Sequence, residues 1–506
     1  MDVPRAPAEV PRPLSQPGDP VTDYTPARYR GVPVLGRGAR HVASRFSYGV
    51  TPALAKQVRA AGGGLAWFEA QVEAARTRAD DADVLMDWWP DLHLDAQTVW
   101  QNQANEVRGM WEVMWDYSRR LLARRVHSDL QVLEVLTEFF EAHLHVTASG
   151  DAQATWRADY GETIRAHALG AFDDMLVAAI THPAMLLYLD QATSSKSAPN
   201  ENLGRELLEL HTVGVGHYTE DDVKNAARIL TGYRVKTWTT FAAYYDTAQH
   251  WTGRVTVGDF TDANTDVDGR AVVERFLRHL ARRPETAQRL ARKLCTKFIA
   301  DDVDQAVVDR LAAVYLAHDT EILPVVRALL RTKAFKESVD AKLRDPAEDL
   351  VATYRALGVQ LAEPSANNDA ANAMIWQCQE IGLVPMTWPR PDGQPLDNEP
   401  WATTGRAMAS MSIHWVLAGG WWPNKGITYR TATEWAPTLP VRFDQLVDHL
   451  ARQVHGRASN ANLLRAACEA VQADPDTTVT SSHAAVTWRF SRLLGALLDH
   501  PRHYSR

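Results

Sequence analysis

The sequence predicts a mainly α-helical protein, a multi-helical globular body with one small β-hairpin excursion near residues 232–258. Long stretches rich in Ala, Leu, Arg and Glu repeat their apolar residues with a period near 3.6, which is typical of amphipathic helices. Proline and glycine separate these stretches. Hydrophobic residues make up 45% of the 506-residue chain and charged residues 23%, as in ordinary globular proteins.

The helical pattern extends along almost the whole chain. The clearest stretches are 52–78, 97–122, 128–147, 158–181, 201–213, 219–231, 270–282, 285–300, 303–317, 320–333, 345–357, 402–419, 443–455, 459–473 and 482–499. Between 361 and 400 the chain is rich in Pro, Asn and Asp, which predicts a long loop excursion. No repeat of fixed period occurs, so we expect no solenoid.

Residues 232–258 have a different pattern from their surroundings. VKTWTTF and GRVTV alternate aromatic, threonine and valine positions, and this alternation with period two is typical of short strands. The pattern is too short for a sheet with its own core, so it predicts a hairpin attached to a helical body.

The N-terminal segment and the rest of the chain differ in composition. Residues 1–40 are proline-rich and predict an extended or disordered arm, and 41–506 predict one large helical domain. Subdomains 41–300 and 301–506 are the alternative division. The first residues show no apolar signal segment and no twin arginine, so we expect a cytoplasmic location. Export together with a partner protein stays open.

Bulk properties exclude several classes of function. A net charge of −8 without a basic stripe argues against a nucleic-acid partner. No apolar run approaches the 18 residues or so that a membrane span needs. The three cysteines, Cys295, Cys378 and Cys468, are far apart and form no CxxC pair, which excludes a disulfide framework or a cysteine-rich zinc site.

Five segments carry a resemblance to a known family. They are RFSYGVTPAL, IRAHALGAFDDMLVAAITHPAMLLYLD, PNENLGRELLELHTVGVGHYTEDDVKNAARILTGY, LARKLCTKFIADD and LVPMTWPRPDGQP. With these segments the chain resembles the bacterial family called domain of unknown function 1800, over roughly residues 40–425. The resemblance implies a mostly helical fold and no assigned activity. It also implies a gene neighbour from a second family, domain of unknown function 1501, whose members tend to be exported.

The chain departs from this family at one point. Where the family typically has Trp-His-Asn-His-Phe, this sequence has Phe140-Glu141-Ala142-His143-Leu144. Only the second histidine of the pattern is present, so a role that needs both histidines is not carried over.

Three helices direct histidines or carboxylates towards a buried surface. At roughly 100° per residue, His143 lies beside Leu136 and Phe139, and away from the arc of Glu134, Glu138, Glu141 and His145. His167 shares a face with Ile164, Ala171 and Met175. Glu206 and Glu209 flank a leucine stripe on one side, and His211 flanks it on the other.

Imidazoles and carboxylates on facing helices are the ligands of non-haem iron, manganese or zinc sites. The sequence therefore predicts a metal site at His143, His167, Glu206, Glu209 and His211, with Fe, Mn or Zn as the divalent ion. Under the alternative interpretation, Arg165 and Arg205 neutralise the glutamates and the histidines bond to backbone carbonyls. No Glu-x-x-His repeat or His-Glu-x-x-His motif supports the metal hypothesis.

A second pattern, Asn264-Thr-Asp266-Val-Asp268-Gly269, matches the first six positions of a calcium-binding EF-hand loop. The twelfth position should be a bidentate Glu, but it is Arg275. We therefore interpret Asn264, Asp266 and Asp268 as an acidic turn before a helix rather than as calcium ligands.

Tryptophans are frequent towards the C-terminus. Trp388 opens the segment Trp-Pro-Arg-Pro-Asp-Gly, and four more follow it at 401, 415, 421 and 422. Such tryptophans either line a ligand cleft or anchor the core, and both interpretations stay open.

Two hypotheses of function follow from these patterns. The first is a metal-dependent enzyme, of oxidoreductase type, with the His/Glu site between helices. The second is a non-catalytic helical scaffold that binds a partner protein, for which the product of a neighbouring domain of unknown function 1501 gene is the leading choice.

Overall fold

The protein is described by a computed structural model that covers residues 26–78 and 83–506. Residues 1–25 of the arm predicted for 1–40 lie outside this range. Helices make up 58% of the structure, with 24 α-helices among the described residues. The predicted fold class, mainly α with small hairpins, is confirmed.

The first twelve helices cover the N-terminal half of the chain. They are α1 (Arg37–Arg45), α2 (Pro52–Ala60), α3 (Gly64–Thr77), α4 (Ala96–Ala104), α5 (Met110–His127), α6 (Gln131–His143), α7 (Arg157–His167), α8 (Phe172–Ile180), α9 (Pro183–Tyr188), α10 (Glu201–Glu206), α11 (Glu220–Leu230) and α12 (Arg270–Ala281). A π-helical turn, Leu207–His211, continues α10 directly.

The other twelve helices follow. They are α13 (Pro284–Phe298), α14 (Gln305–Ala317), α15 (Ile322–Arg331), α16 (Lys333–Glu337), α17 (Pro346–Leu357), α18 (Ala370–Ile381), α19 (Thr404–Ala418), α20 (Ala432–Trp435), α21 (Phe443–Val454), α22 (Ala461–Val471), α23 (Phe490–Leu498) and α24 (Pro501–Tyr504). Short 3₁₀ turns lie at Asp83–Trp88, Pro90–His93, Ala152–Thr155, Gln191–Thr193, Glu399–Trp401 and Ala484–Val486.

The strands of the described chain form two-stranded antiparallel pairs. These are β1 (Tyr233–Val235) with β2 (Ala243–Tyr245), β3 (Val255–Val257) with β4 (Phe260–Asp262), β5 (Gln360–Leu361) with β6 (Ile427–Thr428), and β7 (Val441–Arg442) with β8 (Thr478–Val479). In the first pair Tyr233 faces Tyr245, and in the second Val257 faces Phe260. The region predicted as one hairpin therefore holds β1 and β2, together with the first strand of a second hairpin.

Several predicted boundaries differ from the structure. The stretches 97–122 and 158–181 are each divided between two helices, α4 with α5 and α7 with α8. The stretch 52–78 is two helices, because Gly62 and Gly63 adopt φ values of 91° and 139° that end α2. The predicted loop excursion 361–400 contains α18. Its sequence AANAMIWQCQEI has the apolar residues of a buried helix, but the Pro- and Asp-rich flanks obscured that pattern.

One apolar core joins distant parts of the described chain. Its largest cluster includes residues from Leu35 to Leu498, and so draws on both 41–300 and 301–506. A smaller cluster collects residues around α5, from Leu85 to Ala154, with Ala371 and Met386.

Helix α6 lies inside this core, and all 13 of its residues are buried. The carboxylates that the sequence places on one arc of α6 are each bonded to a cation. The pairs are Glu134–Arg165, Glu138–Lys297 and Glu141–Arg157, at 2.8, 2.8 and 2.9 Å. A buried carboxylate is costly unless it is paired, so these contacts are what allow α6 to be central. They also fix the end of the helix, where His143 lies.

Candidate functional site

His143 and His211 meet at the end of α6. Nε2 of His143 lies 3.1 Å from the carbonyl oxygen of His211, and Nδ1 of His211 lies 3.0 Å from the carbonyl oxygen of His143. Since a carbonyl only accepts, each of these ring nitrogens carries the proton and donates it. The reciprocal bonds fix both tautomers, so Nδ1 of His143 is left as an acceptor.

The π-helical turn explains how His211 reaches this position. A π turn accommodates one more residue than an α turn, and such turns are frequent at functional sites. Here the turn spans Leu207–His211 and directs the His211 ring inwards, where it is fully buried. Nε2 of His211 has no hydrogen-bond partner among the described residues. Burial lowers the pKa of His211 to about 3.

Lys293 completes this group, and the sequence patterns did not single it out. Its Nζ lies 3.0 Å from Nδ1 of His143, and no carboxylate of the described chain forms an ion pair with it. Burial, followed by the charge of Arg289, lowers the pKa of Lys293 to about 7. Burial and the Lys293 charge hold the pKa of His143 well below its usual range. Lys293 is therefore a lysine that is half neutral near pH 7, beside a neutral imidazole.

A cavity of about 340 Å³ opens onto this pair. Its walls come from the end of α6, from α13 and from the loop 390–397. The lining residues include Phe139, Ala142, His143, Lys293, Thr296, Arg390, Asp392, Gly393, Gln394 and Asp397. Ligand pockets are typically about 300–1,000 Å³, so this cavity is of the size that a small metabolite fills.

The loop that closes the cavity belongs to the segment LVPMTWPRPDGQP. Nε2 of His145 donates to the carbonyl of Trp388 at 2.8 Å, and Nε1 of Trp388 donates to Oδ1 of Asp392 at 2.9 Å. At Gly393 the backbone has φ +75°, and a Cβ there would clash with the carbonyl oxygen of Ala142. Glycine is therefore needed for the loop to approach α6 this closely. Trp388 thus anchors the loop that closes the cavity.

Glu206 and Glu209 lie near each other on the helix that leads to His211. Burial and the charge of Glu209 raise the pKa of Glu206, and Asp392 in the cavity wall also contributes. Glu209 accepts a hydrogen bond from the Tyr218 hydroxyl at 2.5 Å. The arginines expected to neutralise these glutamates have other partners.

Those arginine partners are well defined. Arg165 bonds to Glu134, and Arg205 forms a bidentate pair with Glu220 at 2.8 and 2.7 Å. Arg205 lies on the same helix as Glu206 and still lowers its pKa by charge.

His167 lies apart from the other four predicted ligands. It ends α7 and is half-buried, and its backbone carbonyl accepts from Gly170. No hydrogen bond, ion pair or ring contact of the described residues joins its side chain to His143, Glu206, Glu209 or His211. The structure thus brings together His143 with His211 and Glu206 with Glu209.

The described part of the chain has two other groups of buried side chains of the types that bind metals. Within each group the potential ligand atoms lie within 4.8 Å of one another. The groups are Glu138 with Asp345 and Glu348, and Asp349 with His414 and His503. Cations already neutralise both groups. Lys297 lies 2.8 and 2.7 Å from Glu138 and Glu348. Arg406 lies 3.0 Å from Asp349.

The acidic turn at 264–269 uses its side chains locally. Nδ2 of Asn264 donates to the carbonyl of Trp251 at 2.7 Å, and Oδ1 of Asn264 lies 2.9 Å from Nε2 of His250. The carboxylate of Asp268 pairs with Arg270. These contacts fit the interpretation as a turn that leads into α12.

Comparison with known proteins identifies the family of the chain. A family model described as "Protein of unknown function (DUF1800)" matches residues 41–504. The chain belongs to this family. The DUF1800 match includes all the helices that build the cavity and the loop that closes it. No curated protein and no solved structure matches the chain significantly. The family description gives no activity, so the function must be argued from the site.

Proposed function

We propose that this DUF1800 protein is an enzyme that uses the Lys293 amine as a nucleophile towards a small carbonyl compound. The observation that carries the proposal is the 3.0 Å contact between Nζ of Lys293 and Nδ1 of His143, at the wall of a cavity of about 340 Å³. Covalent catalysis by an amine needs a nucleophile that is held in position beside the substrate. Here Lys293 is the nucleophile, Nδ1 of His143 accepts one of its N–H groups, and the His211 carbonyl fixes the tautomer of His143.

The charge state of Lys293 is central to this proposal. Only a neutral amine has the lone pair that attacks a carbonyl carbon, and an ordinary lysine with a pKa near 10.4 is almost fully protonated at neutral pH. Burial and the Arg289 charge lower the pKa of Lys293 to about 7. Desolvation together with a neighbouring cation is a recognised way to activate a lysine.

The proposed reaction begins with addition of the amine. The lone pair of Nζ forms a bond to the carbonyl carbon, the C=O π electrons move to oxygen, and one proton moves from nitrogen to that oxygen. Loss of the hydroxyl with the remaining N–H proton as water then gives the imine. His143 is a positioning residue in this scheme, since its Nδ1 accepts one N–H of Lys293 and leaves the lone pair free for the substrate.

The walls of the cavity favour a small polar substrate. Arg390 pairs with Asp392 at 2.9 Å, so this part of the wall is polar but locally neutral. The charge of Asp392 raises the pKa of both Lys293 and Glu206, so the loop that carries Asp392 lies within electrostatic range of both groups.

Reductive trapping tests this function. The full chain is incubated with pyruvate, acetaldehyde or acetone and sodium cyanoborohydride, and the modified lysines are identified by peptide mass spectrometry. We expect preferential modification of Lys293 with at least one compound, and loss of that signal in Lys293→Met. Lys333, with a side chain 86% exposed, is the matched reference. Modification of Lys293 that is no faster than that of Lys333 would rule out an activated amine.

The metal site predicted at His143, His167, Glu206, Glu209 and His211 stays a prediction. The cytoplasmic location also stays a prediction, and no described helix combines the length and apolar composition needed to cross a membrane. Elemental analysis of protein purified without chelator addresses the metal directly.

A second candidate function, binding of a partner protein, is favoured by an exposed apolar stripe. Met408, Met411 and Trp415 follow one another on α19 at helical spacing, and Trp421 and Trp488 are also exposed. The ring centroids of Trp415 and Trp421 are 4.9 Å apart. Exposed apolar groups of this kind often mark interfaces. We expect the chain to bind the product of a neighbouring domain of unknown function 1501 gene. A Met408→Ser/Trp488→Ser variant should lose this binding.

A further inference from the structure

A second cavity, distant in sequence from Lys293, is lined by arginines. It has a volume of about 20 Å³, more than the roughly 10–15 Å³ that one water needs. Helices α1 and α17, the end of α21 and the segment after α23 surround it. The lining polar residues are Arg40, Ser44, Thr51, Arg344, His455, Arg457, Arg502, His503 and Ser505.

The positive charges at this cavity exceed the negative ones. Four arginines line it, and Asp340 is the carboxylate of the described chain that forms ion pairs with them. Asp340 lies 2.6 Å from Arg457 and 3.9 Å from Arg40. Two guanidinium groups therefore share one carboxylate, and Arg344 and Arg502 form no ion pair with a carboxylate of the described residues.

Arg344 and Arg502 do not relieve this excess. Arg344 donates to the backbone carbonyls of His503 and Ser505, and Arg502 donates to the carbonyl of Ala458 at 2.9 Å. Carbonyl oxygens satisfy hydrogen bonds but do not neutralise charge. Arg40 is buried, and its side chain forms one long ion pair, with Asp340.

The clustering has a consequence for the ionisation of these side chains. Burial, followed by the charge of Arg457, lowers the pKa of Arg40 to about 10. Burial, followed by the charge of Arg506, lowers the pKa of Arg344 to about 9. Buried like charges are costly unless a counter-ion accompanies them. The site therefore favours an anion energetically.

We propose that this cavity binds one chloride ion, held by Arg40, Arg344 and Arg502. A monatomic anion suits a volume of about 20 Å³, which holds about one water and is too small for phosphate or sulfate. Hydrogen bonds from a guanidinium to an anion are charge-assisted and therefore strong. The hydroxyls of Ser44 and Thr51 supply neutral donors in the same lining. The bound anion joins α1 to the C-terminal segment and stabilises the folded chain, because a ligand that binds only the folded state shifts the unfolding equilibrium.

Anion titrations test this proposal without reference to Lys293. The full chain is dialysed into a buffer whose only anion is a bulky sulfonate. Chloride is then titrated at constant ionic strength, and sulfate, which is too large for the cavity, is titrated separately as a control. Calorimetry and thermal melting are recorded on the same samples. We expect saturable binding of chloride, close to one per chain, with a melting temperature that rises with the logarithm of the chloride concentration, and no such binding of sulfate.

Two arginines of α1 provide a matched pair of variants. Arg40 lines the cavity and Arg37 is exposed on the same helix. Arg40→Gln is expected to weaken binding at least about tenfold, since it removes one charge-assisted contact. Arg37→Gln is expected to leave the affinity unchanged. If Arg40→Gln does not fold, Arg502→Gln replaces it, because Arg502 is only half-buried and bonds to one carbonyl.

Three results would overturn the proposal. The first is no saturable binding of chloride, or binding of sulfate with equal affinity, since sulfate does not fit the cavity. The second is an equal loss of affinity in Arg37→Gln and Arg40→Gln, which would indicate a diffuse charge effect. The third is an unchanged affinity in Arg40→Gln or Arg502→Gln, which would place any bound anion elsewhere on the chain.

Discussion

Nζ of Lys293 donates a hydrogen bond to Nδ1 of His143 over 3.0 Å. The two residues are 150 positions apart in the chain and belong to α13 and α6. The contact depends on the tautomer of His143, which the carbonyl of His211 fixes by accepting from Nε2. Buried ammonium groups are usually paired with a carboxylate. Lys293 is unusual because its hydrogen-bond partner is a neutral imidazole.

The loop glycine is expected to be necessary for the cavity. Gly393→Ala introduces a Cβ against the carbonyl of Ala142 at a left-handed backbone position, and so displaces the loop or strains it. We expect a loss of stability of roughly 1–3 kcal/mol by urea denaturation, together with slower trapping at Lys293. Gly405→Ala is the control, since nothing lies within 4 Å of a Cβ there. Equal effects of the two substitutions would argue against a close approach at Gly393.

The internal ion pair at Glu138 is expected to contribute much more than a surface pair. Glu138 is fully buried between Lys297 and Arg125, at 2.8 and 3.2 Å. Glu138→Gln should therefore cost roughly 3–5 kcal/mol of unfolding free energy, because buried Arg125 loses its counter-charge and Lys297 keeps only Glu348. Glu220→Gln breaks the exposed pair with Arg205 and should cost much less, because water and salt screen a surface pair. Urea denaturation of both variants measures the difference.

Glu138 also predicts the direction of the acid response. Burial alone raises its pKa, but Lys297 and Arg125 outweigh burial and hold the pKa well below its usual range. A depressed pKa in the folded state gives stability that is present above the unfolded pKa of about 4.3 and lost as the pH falls further. The difference in unfolding free energy between wild type and Glu138→Gln should thus shrink from pH 5 to pH 3. A constant difference over that range would contradict an ionised Glu138.

Part of the site was predictable from the sequence. The period of α6 placed His143 on a different face from Glu134, Glu138 and Glu141, and the structure has these groups in separate surroundings. Of the five predicted metal ligands, the structure places His143 beside His211. The continuous helix predicted for 201–213 missed the π turn, because periodicity alone does not distinguish an extra residue in one turn.

Lys293 was missed although its sequence carried a signal. Lys293 and Lys297 follow Leu290 by three and seven positions, a spacing that puts both lysines on the apolar face of α13. Lys297 forms an ion pair with Glu138, but Lys293 bonds to a histidine on another helix. The loop that closes the cavity could not be derived either, since its position depends on tertiary contacts of Gly393 and Trp388 rather than on local pattern.

The metal prediction can be tested independently of the proposal for Lys293. If His143 and Glu209 are ligands, protein purified without chelator should carry close to one Fe, Mn or Zn per chain, and Glu209→Gln should lose it while the fold persists. Elemental analysis and thermal melting of the same samples provide the measurement. Absence of stoichiometric metal in the wild type would end the metal hypothesis and leave the Lys293 prediction untouched.

The pH dependence of Lys293 modification tests the central claim most directly. Acylation by a small amine-reactive ester, followed by peptide mass spectrometry at each pH, gives separate profiles for Lys293 and for exposed Lys333. With the pKa of Lys293 lowered to about 7, its rate should be half-maximal near pH 7 and level off above it. The rate at Lys333 should still rise towards pH 10, as for an ordinary lysine. Parallel profiles for the two lysines, both rising to pH 10, would contradict a neutral amine at the site.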